Sequence, residues 1–417
     1  MATKNVLANR LGMWGIFLIS PFAAFAISVG KFGYKEFRMF ILVFFMLYGY
    51  TFLPIPQGDG DKYKQAYISS ASTYDFSEYA KDIKSIFEGT SLNPDFYAQT
   101  LMFVSSQISD DYRVYFVLAA LIYYSVLLKM FHCIWNITRG NNSRYIFFFI
   151  GCCFVLNLSA GLNGIRFPLG FWIFSYGALN LIFKDKLKYL FIAASSVLVH
   201  FSMAFSLVFL IIFYFLKYTS NPKLLYTLLV IGIVVTLLFP TFLTSFNDLL
   251  GGSYESKLQA YSGEDYINER EDHVQKWNWY VQVNLVATYY FCIVAIIISK
   301  LAVFKIKFDT LGNRLFGFGM LMIMHSFLSG SLVDSISNRY YILVNLFGLI
   351  YLYYLSSINP GNKLLSILKY IYIPILIINV LVVLRGDLYT VSPILVFGNA
   401  IFIFTTEATT SIQEMFS

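Results

Sequence analysis

Charge is what this sequence has least of: Asp, Glu, Lys and Arg make up 13% of its 417 residues, about half the share a soluble domain carries. That shortage excludes a water-soluble globule of this length. Basic residues outnumber acidic ones, for a formal net charge of +7, yet they form no runs. They sit in short segments between apolar blocks, which argues against a nucleic-acid surface and fits the excess of Lys and Arg on the cytoplasmic side of membrane proteins. Cysteine is scarce as well. Cys133, Cys152, Cys153 and Cys292 all fall inside apolar blocks, with no disulfide framework and no zinc-ligand spacing. No internal repeat of the kind that builds the inverted halves of many secondary transporters is visible either.

What the chain has instead is apolar length. Its residues are 58% hydrophobic, with 43 Phe and 32 Tyr. Apolar blocks of about twenty residues recur throughout, each long enough to cross a bilayer as a helix. The fold class is therefore all-α: a polytopic integral membrane protein, one membrane domain over 1–417. Candidate spans are 12–30, 38–55, 113–135, 145–161, 168–183, 224–246, 281–301, 315–333, 340–357, 364–384 and 388–404. The start of the chain imitates a signal peptide, with Lys4, Arg10 and Ala24-Phe25-Ala26, but is read as the first span. The stretch 189–217 is too long for one upright helix and short for two. Lys184, Lys186 and Lys188 before it and Lys217 and Lys223 after it put both ends on one side. A hairpin is therefore predicted, with His200-Phe201-Ser202 at its tip.

Loop charge then sorts the two faces. Loops with Lys31, Lys35 and Arg38, Arg139 and Arg144, Lys184 to Lys188, Lys217 and Lys223, Lys305 and Lys307, and Lys363 belong inside. The loop 56–112 has nine acidic residues against four lysines, and the loop 247–280 has seven acids against Lys257, Arg270 and Lys276; both belong outside. This gives about twelve or thirteen crossings and an external N-terminus, which Lys4 and Arg10 oppose. Residues 93–109, opening on Asn93-Pro94-Asp95, predict an amphipathic helix on or in the outer leaflet.

With that topology the unusual polar residues gather at the outer face. Asp59 and Asp61 flank Gly60; Asn163 and Arg166 sit in the turn before the fifth span; His200 lies at the hairpin tip; Asp334, Asn338, Arg339 and Tyr340 open a later span. Each has a plainer reading. The Asp-Gly-Asp is compatible with an exposed turn, Arg166 with snorkelling to head groups, His200 with a packing role, and Arg339 with a helix-end pair to Asp334. Arg385 and Asp387 read as ordinary outer-loop residues. Convergence favours a shared site, because polar groups at membrane depth are costly unless paired or lining a wet cavity. Two guanidinium groups beside a histidine and carboxylates suit a phosphorylated ligand, since the planar fork makes paired, charge-assisted hydrogen bonds. A lipid diphosphate fits, its hydrocarbon tail among Phe and Leu.

Taken in order, Asp61, Tyr63 and Tyr67, the Pro94 helix, "NGIR" at 163–166, "VHFS" at 199–202 and "NRYY" at 338–341 resemble the EpsG-like branch of the Wzy-type polysaccharide polymerases. The pattern departs from that resemblance at Asn93-Pro94, where Glu-Pro is expected, and at Phe167, where Gln is common. The resemblance implies a GT-C-like glycosyltransferase of the bacterial inner membrane with its active site facing the periplasm. It would polymerise O-antigen or capsular repeat units carried on undecaprenyl diphosphate. Arg166 and Arg339 would hold the diphosphate, with His200 or Asp61 nearest the acceptor hydroxyl. Asp59, Asp334, Asn163, Asn338 and Tyr340 would contact substrate or orient the arginines. The expected partners are the lipid-linked oligosaccharide, the bilayer and a chain-length regulator, with no cofactor, metal or nucleic acid. A flippase for the same lipid is the leading alternative, although it would need ionisable residues along a central path. An O-antigen ligase shares the diphosphate logic, and a membrane acyltransferase has only His200 in its favour.

Overall fold

In hydrocarbon a backbone must satisfy its own hydrogen bonds, so apolar blocks of this kind fold as helices. The computed structural model describes residues 2–88, 95–138, 145–216, 227, 278–330 and 334–416, and every regular element among them is helical. The predicted span 224–246 apart from 227, most of the loop 247–280 with Arg270, and Asn93 and Pro94 lie outside the described residues.

The chain opens with α1 (Ala2–Ile19), α2 (Pro21–Gly30) and α3 (Lys35–Tyr50). Sequence analysis treats 12–30 as one span; here it breaks at Ser20, whose hydroxyl accepts from Ala23 N while Pro21 starts the next helix. The acidic loop holds α4 (Asp59–Ser70), α5 (Phe76–Phe87) and α6 (Phe96–Ser106). The expected helix at 93–109 is α6, but it packs on α7 (Tyr112–Ile137) and α11 (Lys188–Val199) rather than standing apart. The helix with exposed phenylalanines is α5, where Phe76 and Phe87 are 69% and 77% exposed.

Next come α8 (Ile146–Cys153), α9 (Ala160–Asn163) and α10 (Arg166–Lys184), then α11 and α12 (Met203–Leu216). The predicted span 145–161 is thus not one helix: α8 has 8 residues and covers only about 12 Å. The hairpin is present, with α11 ending at His200 in extended conformation and α12 starting at Met203. Its tight packing on α10 depends on Gly177, where an added Cβ would stand 2.5 Å from the backbone N of Ala193. Small residues let membrane helices approach this closely.

The second half comprises α13 (Trp279–Ser299), α14 (Thr310–Gly330), α15 (Asp334–Ile358) and α16 (Lys363–Leu388). The short α17 (Pro393–Phe397), α18 (Ala400–Thr405) and α19 (Ile412–Met415) follow. The last predicted span, 388–404, fails as a single crossing. Ser392 caps α17 and Asn399 caps α18, and pieces of 5 and 6 residues reach no more than about 9 Å each against a core of about 30 Å. Among the described residues, α7, α13, α15 from Arg339 onward, and α16 are long and apolar enough to cross a membrane.

Aromatic packing joins the first group of helices. Phe45 of α3 stacks on Tyr124 of α7 at 3.8 Å, and Trp172 of α10 donates to the Tyr123 hydroxyl at 3.0 Å. In the second group Ser299 and Tyr351 share a hydrogen bond of 2.5 Å between α13 and α15. Ser206 of α12 and His325 of α14, 2.9 Å apart, tie the groups together. At one end of the bundle Arg314 pairs with Asp185 at 3.0 Å. The opposite end carries the polar residues singled out from the sequence.

Candidate functional site

Arg166 is the first residue of α10, where the positive end of the helix dipole opposes a cation. A buried guanidinium there needs a counter-charge, and Asp95 supplies it. Its Oδ2 accepts from Arg166 Nη1 at 2.9 Å, and only 4% of the carboxylate side chain is exposed. The same carboxylate reaches across to the hairpin, where Oδ1 accepts from the backbone N of Phe201 at 2.9 Å. Tyr63 of α4 completes the surroundings of Arg166. Burial pushes its phenol up, and the adjacent guanidinium, within hydrogen-bond reach, opposes that shift. The hydroxyl therefore stays protonated at neutral pH.

His200 caps the end of α11. Its Nδ1 lies 2.7 Å from Ser202 Oγ and accepts from Ser202 N at 3.2 Å. A backbone N–H can only donate, and this contact assigns His200 the neutral tautomer with its proton on Nε2. The Cβ of His200 lies 3.3 Å from where a side chain on Gly170 would begin, so the imidazole sits about one helical turn, roughly 6 Å, along α10 from Arg166. On the far side of the turn, Tyr340 donates from its hydroxyl to Ser202 O at 2.9 Å. The Tyr340 ring rests 4.2 Å from that of His325.

Phe167 is the hinge of the cluster. Its ring meets His200 edge-on at 5.5 Å, and the Arg339 guanidinium lies 5.5 Å above it. Arg339 therefore lies at the same end of the bundle as Arg166, over the ring of the residue that follows it. The position that departs from the resemblance, Phe rather than Gln, is the one whose aromatic face carries the Arg339 cation.

The remaining predicted residues divide. Asn163 ends α9 and meets Gly60, where an added Cβ would lie 3.0 Å from Asn163 Oδ1; that close approach brings the start of α4 onto the NGIR segment. Asp61 is engaged within its own turn, accepting from Gln57 N at 3.2 Å and Gln65 Nε2 at 3.3 Å, and Gln57 has a left-handed φ of 64°. Both Asp61 oxygens are thus engaged locally. Asp59 is exposed and 3.9 Å from Lys62. The backbone of Asp334 and Asn338 lies in α15, and their side chains fall outside what is described. Among the described residues, no group of three His, Cys, Asp or Glu gathers to hold a metal.

Two functional neighbours were missed from the sequence. Asp95 reads there only as part of a helix start. Asp387 reads as a loop residue but lies in α16, is 5% exposed, and accepts from Leu158 N at 3.1 Å and Ser159 N at 2.8 Å. It fixes the chain just ahead of α9. Arg385, also in α16, donates to the Tyr280 hydroxyl. Both corrections have one cause: α16 runs on to Leu388, past where its apolar pattern ends.

These features define a helical, multi-spanning membrane protein with a basic and aromatic polar site at one end of the bundle. Residues 36–393 match the sequence model of the EpsG family, and the chain belongs to that family. Membership points to polysaccharide-polymerase-like activity of the glycosyltransferase kind in a membrane protein. Neither the curated proteins nor the solved structures include a match to the chain.

Proposed function

We infer that this protein polymerises oligosaccharide repeat units carried on undecaprenyl diphosphate, at the periplasmic face of a bacterial inner membrane. The growing glycan leaves its lipid diphosphate and joins a hydroxyl of a newly delivered lipid-linked unit. The observation that carries this reading is the placement of Arg339 over the ring of Phe167, the residue that follows Arg166, at one end of the bundle. Cleaving the anomeric bond puts negative charge on the departing diphosphate. Fixed guanidinium groups stabilise that charge most effectively in surroundings that exclude water.

The first turn of α10 adds to this. Ile165 occupies its N-cap and offers no side-chain cap, so the leading N–H groups and Arg166 present one positive surface. His200, with its proton on Nε2, offers a hydrogen-bond donor to a phosphate or sugar oxygen. Lysines at the Lys184 to Lys188 end support a cytoplasmic placement of that end and an outer placement of the site.

The test is to replace Arg166 and Arg339 separately by Ala at equal membrane abundance and to resolve surface glycan by length. Loss of long chains with the single repeat unit retained supports polymerisation. Loss of all surface glycan supports a flippase instead, and an unchanged length ladder overturns the assignment of both arginines.

A further inference from the structure

The two halves of the site come from elements far apart in sequence, and one side chain touches both. Arg166 belongs to α10; the turn that aims His200 lies between α11 and α12. Asp95 holds the first through Oδ2 at 2.9 Å and the second through Oδ1 and Phe201 N at 2.9 Å. It is 3% exposed. The same turn orients Ser202 N onto His200 Nδ1 at 3.2 Å, so the orientation of the ring depends on the backbone that Asp95 grips. Tyr340 holds the opposite side of that turn through Ser202 O.

We propose that Asp95 is a positioning residue that locks the Arg166 guanidinium and the donor form of His200 into one unit. The proposal rests on the polymerase reading and names the residue that fixes its geometry. Asp95 touches no reacting atom. It neutralises part of the charge on Arg166 and points the remaining donors, while its second oxygen sets the turn. The pairing also explains why a buried carboxylate stands at the start of α6 without capping that helix: both oxygens are committed elsewhere.

Two consequences separate this role from a purely structural one. The effect of losing Asp95 must pass through Arg166, so it shrinks when Arg166 is already compromised. Returning a carboxylate at the position must also return activity. Wild type, Asp95→Asn, Asp95→Glu, Arg166→Lys and the Asp95→Asn/Arg166→Lys pair are compared in membranes adjusted to equal protein level. The probe is polyprenyl-diphosphate-linked repeat unit purified from cells lacking this chain, and chain growth is followed on gels.

Asp95→Asn is expected to slow growth about 100-fold, the loss that a misplacement of about 1 Å brings. In the Arg166→Lys background the same change is expected to cost no more than about threefold. Asp95→Glu is expected to recover at least about tenfold over Asp95→Asn. Asp95→Asn at the wild-type rate, an equal loss in both backgrounds, or no recovery with Glu each overturns the proposal. If Asp95→Asn lowers the protein level too far, Asp95→Ser takes its place in the same cycle. There, wild-type activity or full additivity with Arg166→Lys is the refuting result. No chain growth with wild-type membranes sinks the polymerase reading and this proposal together; growth without coupling sinks the proposal alone.

Discussion

Asp387 lies 221 residues beyond Arg166 in sequence, yet it holds the backbone a few residues ahead of Arg166. Its two oxygens receive the backbone N–H groups of Leu158 and Ser159 at 3.1 and 2.8 Å. Ser159 is the N-cap of α9, and from there the chain passes through Asn163 into the start of α10. Replacing Asp387 by Ala leaves two buried amides without their acceptor. Hydrogen bonds to a charged group contribute roughly 1.5–3 kcal/mol each. Taking the low end for both, Asp387→Ala costs about 3 kcal/mol. Asn retains one acceptor oxygen and places an NH2 against the second amide, so Asp387→Asn costs about half as much.

The measurement is the heat-aggregation midpoint of detergent-extracted protein, read by size exclusion, alongside the glycan length ladder. Ala should lower the midpoint more than Asn, and long chains should decline in the same order, because the NGIR segment loses its anchor. An Asp387→Ala protein with the wild-type midpoint and ladder would refute the account. A lowered midpoint with a normal ladder per molecule would keep the energetics but remove the link to Arg166.

Further substitutions test other parts of the architecture. Tyr340→Phe removes one neutral hydrogen bond to Ser202 O, worth about 1 kcal/mol; slower elongation at unchanged protein level is expected, read as a fall in kcat rather than a rise in KM. Gly177→Ala drives a methyl into the backbone of Ala193, and overpacking of this kind costs about 1–3 kcal/mol, so the aggregation midpoint should drop and Gly177→Val should drop it further. Asp185→Asn breaks the pair with Arg314 at the other end of the bundle, where the two side chains are 23% and 13% exposed. It should lower the midpoint by about 1–3 kcal/mol equivalent while leaving elongation per molecule unchanged.

Much of the scaffold was legible because lipid leaves so few options. The hairpin with His200-Phe201-Ser202 at its tip follows from segment length and flanking lysines, and α11 and α12 meet there. The gathering of Arg166, His200 and Arg339 at one end follows from counting crossings between them. Helix breaks inside apolar stretches were not legible. The segments 145–161 and 388–404 are hydrophobic enough to span, but α8 stops at Cys153, Asp387 holds the Leu158 and Ser159 amides in the break that follows, and Ser392 and Asn399 each start a new short helix. Hydropathy averages over such breaks, and the side chain that stabilises one of them lies more than 200 residues away.

The same physics explains why Asp95 and Asp387 escaped notice as parts of the site. A break in a membrane helix exposes backbone N–H groups that hydrocarbon cannot satisfy. Each carboxylate answers that need: Asp387 accepts the two amides ahead of α9, and Asp95 accepts the amide of Phe201 in the hairpin turn. Asp95 alone also holds a guanidinium. The breaks permit the chain to turn inward at the level of Arg166 and His200, and the carboxylates make those turns tolerable. An acidic residue in this chain is thus informative less for its own chemistry than for the irregular backbone it supports. This is why Asp61, which supports its own turn, drew more attention in the sequence than Asp95, which supports two elements it does not belong to.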